Sequence, residues 1–109
     1  MPAKTPADSL LPMGTVTFLF TDIEGSTRLW ETYPETMRVA LARHDALMHD
    51  IIVDANGHVF KTVGDAFCAA FAMASDAVSA ALSAQTALDS EPWPEETPIK
   101  VRMALTLAR

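Results

Sequence analysis

The chain has 109 residues, of which half are apolar and a fifth are charged, a composition that fits one globular domain and not a chain that is disordered throughout. Its formal net charge of −6 argues against a nucleic-acid partner, because binding to a phosphate backbone requires clustered Lys and Arg. The single cysteine, Cys68, excludes a disulfide framework and a cysteine-based zinc site.

The N-terminus contains no hydrophobic stretch typical of a signal peptide, and no later apolar run approaches the roughly 20 residues that a transmembrane helix needs. With only one cysteine, these features predict a cytoplasmic protein that has no membrane partner. Residues 1–12 contain three prolines and show no periodicity, so they predict a disordered leader. The folded domain is expected to span residues 13–109.

The first half of the domain predicts one strand followed by two helices. The β-branched and aromatic run from Gly14 to Asp22 is typical of a central strand. A helical stretch then begins at Gly25 and continues to Tyr33. Pro34 starts a longer amphipathic helix, for which Asn56-Gly57 provides a stop signal.

The second half predicts two strands, a helix and a final strand. Residues 58–63 and 66–71 are short β-like runs separated by Gly64-Asp65, which is typical of a tight hairpin. Ser75 is expected to cap the next helix, and residues 99–105 predict the fourth strand. The order is that of a ferredoxin-like βαββαβ fold of the α+β class, a four-stranded antiparallel sheet with helices on one face.

Two aspartates are expected to meet at one end of this sheet. Strands 1 and 3 are central antiparallel neighbours in the predicted fold, so Asp22 after one strand lies beside Asp65 before the other. Each alone has an ordinary explanation, Asp22 as a helix cap and Asp65 as a turn residue. Two adjacent carboxylates repel unless a cation or a proton lies between them, so the pair predicts a Mg²⁺ site assisted by the Ile23 carbonyl.

A short turn connects Asp22 to the first predicted helix. Its glycine permits close approach of a ligand, and its amides lie at the positive end of the helix. Any strand-to-helix turn with a small capping residue has these properties, but its position beside the carboxylate pair predicts a polyphosphate site. The residues of this candidate phosphate site are Glu24, Gly25, Ser26 and Thr27.

Two segments resemble the leading motifs of class III adenylate and guanylate cyclase catalytic domains of the bacterial type. They are Phe-Thr-Asp-Ile-Glu-Gly-Ser-Thr at residues 20–27 and Phe-Lys-Thr-Val-Gly-Asp-Ala-Phe at residues 60–67, and the resemblance extends from Met13 to Leu105. It implies that Asp22, Asp65 and the Ile23 carbonyl hold two Mg²⁺ or Mn²⁺ ions. It also implies that the turn at residues 24–27 supports a triphosphate.

The resemblance further implies a reaction, the conversion of ATP to cyclic AMP and pyrophosphate, in which metal ions activate the ribose 3′-hydroxyl and neutralise the leaving group. Lys61 matches the purine-selecting position, where adenylate cyclases carry lysine and guanylate cyclases carry glutamate. ATP is therefore the expected substrate. The alternative for Lys61 is an exposed lysine on a strand, without a role in recognition.

Beyond the fourth strand the resemblance fails. The family continues with a His-Thr-Gly-like turn, a dimerisation arm and a helix that supplies an asparagine and an arginine, whereas here the sequence reads Thr-Leu-Ala-Arg over residues 106–109. Neither Arg102 nor Arg109 matches a family motif, so neither is assigned a catalytic role. Because class III sites form between two chains, the implied partner is a second copy or a larger cyclase. We expect an incomplete cyclase fold, without a complete catalytic set and inactive alone.

Two other functions stay open. One is a non-catalytic regulatory or dimerisation module derived from a cyclase; the other is a polymerase-like or diguanylate-type transferase, which shares the fold and the paired carboxylates but not the two motifs. The histidines offer no zinc site at their spacing, and His44, His49 and His58 are expected at surface or boundary positions.

Overall fold

The computed structural model describes residues 14–108, so the predicted leader lies outside the described residues. Within them the chain forms four strands and three helices. In chain order these are β1 (Val16–Ile23), α1 (Ser26–Thr32), α2 (Pro34–Asp54), β2 (His58–Val63), β3 (Ala66–Phe71), α3 (Ala74–Ser90) and β4 (Val101–Ala108). The predicted α+β, ferredoxin-like arrangement is confirmed.

The strands form one antiparallel sheet in the order β2-β3-β1-β4. As predicted, β1 and β3 are central neighbours, and their register pairs Thr21 with Phe67. On its other side β1 pairs along its whole length with β4, from Val16 opposite Ala108 to Ile23 opposite Val101. The C-terminal end of β1 therefore lies between the start of β3 and the start of β4.

The side chains of β1 alternate between the two faces of the sheet. Leu19 and Ile23 are buried in the core cluster, together with side chains from α2 and α3. The helical contributions recur at intervals of three, four or eight residues, as one face of a helix requires; they are Met37, Ala40, Met48 and Ile52 on α2, and Ala77, Ala80, Ala84 and Leu88 on α3. The three alanines let α3 pack closely against the sheet.

The other face of the sheet carries aromatic side chains that the helices do not cover. Phe18 stacks on Phe20 with ring centroids 6.0 Å apart and meets Phe60 edge-on at 5.8 Å. Phe20 and Phe60 are both substantially exposed. We call this surface, defined by Phe18, Phe20 and Phe60, the open face; alternation along β1 places Asp22 on the same side.

Gly57 completes the stop signal that the sequence predicted for α2. The helix ends at Asp54, and Asn56 follows with a φ of 67°, in the left-handed region that Asn tolerates. A Cβ atom at Gly57 would lie 2.5 Å from the Phe71 ring and 2.7 Å from Ile52. The glycine is therefore required because β3 and α2 pack directly against its backbone.

The predicted Ser75 cap and the start of the last strand are wrong. Helix α3 begins at Ala74, after Met73 in an extended conformation, and has no side-chain capping hydrogen bond. The Met73 carbonyl accepts hydrogen bonds from the Asp76 and Ala77 amides, which places Ser75 inside the helix. Strand β4 begins at Val101, instead of Ile99, because it follows the register of β1.

His44 also departs from expectation, since it is fully buried and not at the surface. Its ring packs edge-on against Phe67, with centroids 5.7 Å apart, and its Nδ1 lies 2.8 Å from the Asp45 carboxylate. The position follows the spacing of the buried residues on α2, four residues after Ala40 and four before Met48. His49 is exposed and His58 is partly buried, as predicted.

Within residues 14–108, every helix is too short or too polar to span a lipid bilayer.

Candidate metal and phosphate site

The end of β1 and the turn before β3 hold the two aspartates of the candidate metal site. The register pairs Thr21 with Phe67, so the positions that follow Thr21 and precede Phe67 lie at the same end of the sheet. Asp65 is partly buried, and its Oδ2 has no hydrogen-bond partner among the described residues. A buried carboxylate oxygen without a partner is costly, because it has lost its water and gained nothing in exchange.

Arg102 on β4 is the closest described partner of Asp22. It lies directly opposite Asp22 in the register of β1 and β4. Its Nε donates to Asp22 Oδ1 at 2.8 Å and its Nη2 donates to Asp22 Oδ2 at 2.9 Å, the two-bond geometry typical of arginine and carboxylate. The sequence assigned no role to this residue.

The charges around Arg102 show which groups share this end of the sheet. The hydrogen bond to Asp22, and then the charge of Asp22, raise the pKa of the Arg102 guanidinium, and the carboxylates of Glu24 and Asp65 contribute in the same direction. Both members of the pair remain in contact with water, since the Arg102 side chain is 66% exposed and that of Asp22 is 45% exposed. The site is therefore acidic and open, with one arginine as its resident cation.

The turn at residues 24–27 has a backbone conformation that suits the close approach of a ligand. Gly25 adopts a left-handed conformation, with φ 69° and ψ 24°, and precedes the first residue of α1. The Glu24 amide already donates to the Lys100 carbonyl at 2.8 Å, so it is used within the fold. The amides of Ser26 and Thr27 lie in the first turn of α1, where they have no partner inside the helix.

A depression of about 320 Å³ lies beside the aspartate–arginine pair. It is open to solvent and mainly apolar in its lining, which comes from β1, β3 and β4. The lining residues are Phe20, Thr21, Asp22, Ala66, Phe67, Cys68, Arg102, Met103 and Ala104. The lining combines the charged side chains of Asp22 and Arg102 with mainly apolar ones, so this surface can accept a ligand with both kinds of chemistry.

Lys61 lies on the same side of the sheet but farther from the aspartates. It is exposed on the edge strand β2 and pairs with Cys68, which in turn pairs with Phe20. Two strand spacings, about 10 Å, therefore separate its backbone from β1. The register between Val59 and Lys61 is irregular, which brings Phe60 into contact with Phe18. Lys61 is a neighbour of the depression and not part of the aspartate–arginine pair.

The donor set at this site suits an ion that takes few protein ligands. No group of three or more His, Cys, Asp or Glu side chains in residues 14–108 is arranged to hold a metal ion. Mg²⁺ commonly takes one or two carboxylates from a protein and fills its other positions with water and phosphate oxygens. The partnerless Oδ2 of Asp65 and the neighbouring Asp22 carboxylate fit such an ion. Ile23, whose carbonyl follows Asp22, is buried and pairs with Val101 on β4.

The fold and this site define a ferredoxin-like α+β domain that has acidic groups at the end of its central strand. Residues 10–105 match the family described as the adenylate and guanylate cyclase catalytic domain. The chain belongs to this family, the class III nucleotidyl cyclases. The predicted resemblance is thus confirmed, and the prediction of a nucleotidyl cyclase homology domain is confirmed with it.

Known relatives agree with this assignment. An adenylate cyclase of Podospora anserina is 42% identical over 94 residues, which cover 86% of this chain and 4% of that protein. A structure of adenylate cyclases from Trypanosoma brucei in their monomeric state has a TM-score of 0.82 and 26% identity, and the match covers 89% of this chain and 58% of that one. The guanylate cyclase domain from Catenaria anguillulae in complex with GTP shares the fold at a TM-score of 0.74 and 21% identity, with 85% and 56% covered.

Proposed function

We propose that the chain supplies the metal-binding half of a class III cyclase site, which with a complementary half converts ATP to cyclic AMP and pyrophosphate. The observation that carries this proposal is the position of Asp22 and Asp65 at one end of two neighbouring strands, with a buried Asp65 oxygen that has no hydrogen-bond partner among residues 14–108. Residues 13–109 form the cyclase portion in this proposal, and the single cysteine favours a cytoplasmic setting.

Asp22, Asp65 and the Ile23 carbonyl are the proposed ligands of Mg²⁺ or Mn²⁺, two ions per complete site. Cyclase domains of this family use divalent metal ions. Bound there, such ions supply Lewis-acid activation of the ribose 3′-hydroxyl and neutralise charge on the departing pyrophosphate. The β1–β3 ladder ends at the Thr21–Phe67 pair, which holds the backbones of Asp22 and Asp65 at the same end of the sheet.

The turn after β1 is the proposed phosphate site. Gly25 and the first-turn amides of Ser26 and Thr27 are available to phosphate oxygens, whereas the Glu24 amide is held by Lys100. The Glu24 side chain is an exposed carboxylate, which would repel a phosphate. Glu24 therefore contributes to the turn through its backbone and not through its side chain. The turn and the two aspartates would then bind the same polyphosphate from adjacent sides.

Lys61 is the proposed purine-reading residue, and ATP the proposed substrate. An ammonium group donates hydrogen bonds only, so it suits an acceptor on the adenine edge and lacks the acceptor that guanine would require. Its position on the open side, across Cys68 from Phe20, fits a base that lies against the apolar lining of the depression. The Catenaria guanylate cyclase domain was solved with GTP, which supports a nucleotide as the ligand class.

The proposed macromolecular partner is a second cyclase domain, either in a homodimer or in a larger cyclase. The open face exposes Phe20 and Phe60, and exposed aromatic groups beside a charged site are typical of surfaces that another chain covers. The complementary half must supply donors for the charge that develops on the α-phosphoryl group. Such donors typically contribute about 10²–10³-fold each.

The test is a complementation assay. The purified chain is incubated with Mn-ATP alone, and then with a separately expressed C-terminal half of a bacterial class III cyclase that carries the asparagine and arginine. We expect cyclic AMP only from the mixture, and none above background when Asp22→Ala replaces the parent chain. Asp89→Ala, which removes an exposed aspartate from α3, serves as the matched control and should keep the activity of the mixture. Cyclic AMP from the unaided chain, or full activity with Asp22→Ala, would contradict the proposal.

A further inference from the structure

Arg102 forms the closest polar contact at the candidate metal site, and nothing in the proposed function uses it. We infer that Arg102 is a resident counter-ion of Asp22, which competes with the divalent cation for that carboxylate and so lowers the cation affinity of the site. The inference deepens the proposed function and rests on Asp22 being a metal ligand.

Both oxygens of Asp22 are already engaged in the structure. Arg102 Nε and Nη2 donate to Oδ1 and Oδ2 at 2.8 and 2.9 Å, so the guanidinium fork covers the outer edge of the carboxylate. A divalent cation that binds either oxygen must share it with a positively charged donor a few ångströms away. Like charges at that distance repel, so the cation and Arg102 cannot both interact with Asp22 at full strength.

The contact is built into the sheet and is not a chance meeting of two surface side chains. Asp22 and Arg102 are direct partners in the β1–β4 ladder, so their backbones stay in register as long as both strands are formed. Residues directly opposite on one face of an antiparallel pair lie close enough for their side chains to interact. The backbone of Arg102 therefore lies opposite that of Asp22 whenever the sheet is formed, which keeps the guanidinium within reach of the carboxylate.

The pair is also open enough to be displaced. The Arg102 side chain is 66% exposed and the Asp22 side chain 45% exposed, so the guanidinium can turn into water without leaving a buried charge. The negative charge of Asp65 also favours a cation at this position. Asp65 has no hydrogen bond to Arg102, and its Oδ2 has no hydrogen-bond partner among residues 14–108. Competition is therefore confined to Asp22, while Asp65 stays available to the cation.

The expected size of the effect follows from the exposure of the pair. Exposed arginine–carboxylate pairs change an equilibrium constant by about 1.4- to 5-fold. Removal of Arg102 should therefore tighten Mn²⁺ binding by about 1.4- to 5-fold at low salt, and the gain should shrink as salt screens the interaction. A residue that only supported the fold would leave Mn²⁺ affinity unchanged or weaken it.

The experiment measures free Mn²⁺ by electron paramagnetic resonance during titration of the purified chain, without nucleotide. Arg102→Gln should bind Mn²⁺ more tightly than the parent, and Arg102→Lys, which keeps the charge but lacks the fork, should fall between them. The matched control is Arg43→Gln. Arg43 makes the same two-bond contact with Glu91, at 2.9 and 3.1 Å, so its removal changes the net charge equally but away from the site.

The outcomes separate the inference from the proposed function. Mn²⁺ affinity in Arg102→Gln equal to or weaker than that of the parent, while Asp22→Asn still abolishes binding, would overturn the competition and leave the metal site standing. An equal gain in Arg43→Gln would also overturn it, because net charge alone would then explain the change. If neither the parent nor Arg102→Gln binds Mn²⁺ saturably, the proposed metal site itself is wrong. Circular dichroism of each variant confirms that the proteins compared are folded.

Discussion

Asp65→Asn offers the sharpest test of the proposed metal pair, because it removes the charge of Asp65 and keeps the shape and the turn chemistry of the residue. A ligand that binds only the folded state stabilises it by RT ln(1 + [L]/Kd), which is about 1.4 kcal/mol when the ligand stands at ten times its Kd. Residues 14–108 form a domain of about 95 residues, and 1 kcal/mol shifts the Tm of such a domain by roughly 4–8 °C. Mn²⁺ at that concentration should therefore raise the Tm of the parent by about 6–11 °C.

Thermal melts followed by circular dichroism, with and without Mn²⁺, give the comparison. Asp65→Asn should lose most of the Mn²⁺-dependent shift, because an amide is a much weaker ligand than a carboxylate for a hard cation. Asp89→Asn, on the exposed side of α3, should retain the parent's shift, and so controls for the loss of one negative charge. A full shift in Asp65→Asn would show that Mn²⁺ stabilises the chain elsewhere, and the pairing of Asp65 with Asp22 as metal ligands would have to be abandoned.

Two further predictions concern packing and selectivity. Gly57→Ala should destabilise the chain by about 1–3 kcal/mol, because its Cβ would meet the Phe71 ring at 2.5 Å, and a thermal melt that matches the parent's would show that the ring moves freely. In the complemented enzyme, Lys61→Glu should lower ATP turnover and shift selectivity toward GTP, since a carboxylate accepts the hydrogen bonds that guanine donates. Unchanged ATP turnover in Lys61→Glu would show that this side chain does not read the base.

The elements that the sequence predicted well are those whose signals are local. Strands β2 and β3 have the predicted bounds, because Gly64-Asp65 marks the turn between two short β-like runs. The pairing of β1 with β3 followed from the order of the elements alone. The sequence left open the role of the two carboxylates at the end of these strands. Local turn chemistry and connectivity rules thus sufficed for the topology and for the end of the sheet that carries Asp22 and Asp65.

The features that the sequence did not predict depend on tertiary contacts. Ser75 has a side chain suited to capping a helix, but α3 begins one residue earlier, at Ala74, after Met73 in an extended conformation. His44 is polar, yet it lies on the buried stripe of α2, where packing against Phe67 overrides its usual preference. Arg102 meets Asp22 across 80 positions of sequence, and no pattern near either residue indicates the contact. Only the pairing register of β1 with β4 brings them together.

The separation between Asp22 and Arg102 also governs how the chain acquires its site as it is made. The pair closes only when β4 joins β1, and a contact this distant in sequence forms slowly compared with a helix or a hairpin. Synthesis at about 5–20 residues per second leaves roughly 4–16 s between the emergence of the two residues. Until Arg102 emerges, Asp22 has no arginine opposite it, and one edge of β1 is still unpaired. In the proposed function, a divalent cation would therefore have access to Asp22 before Arg102 pairs with that carboxylate.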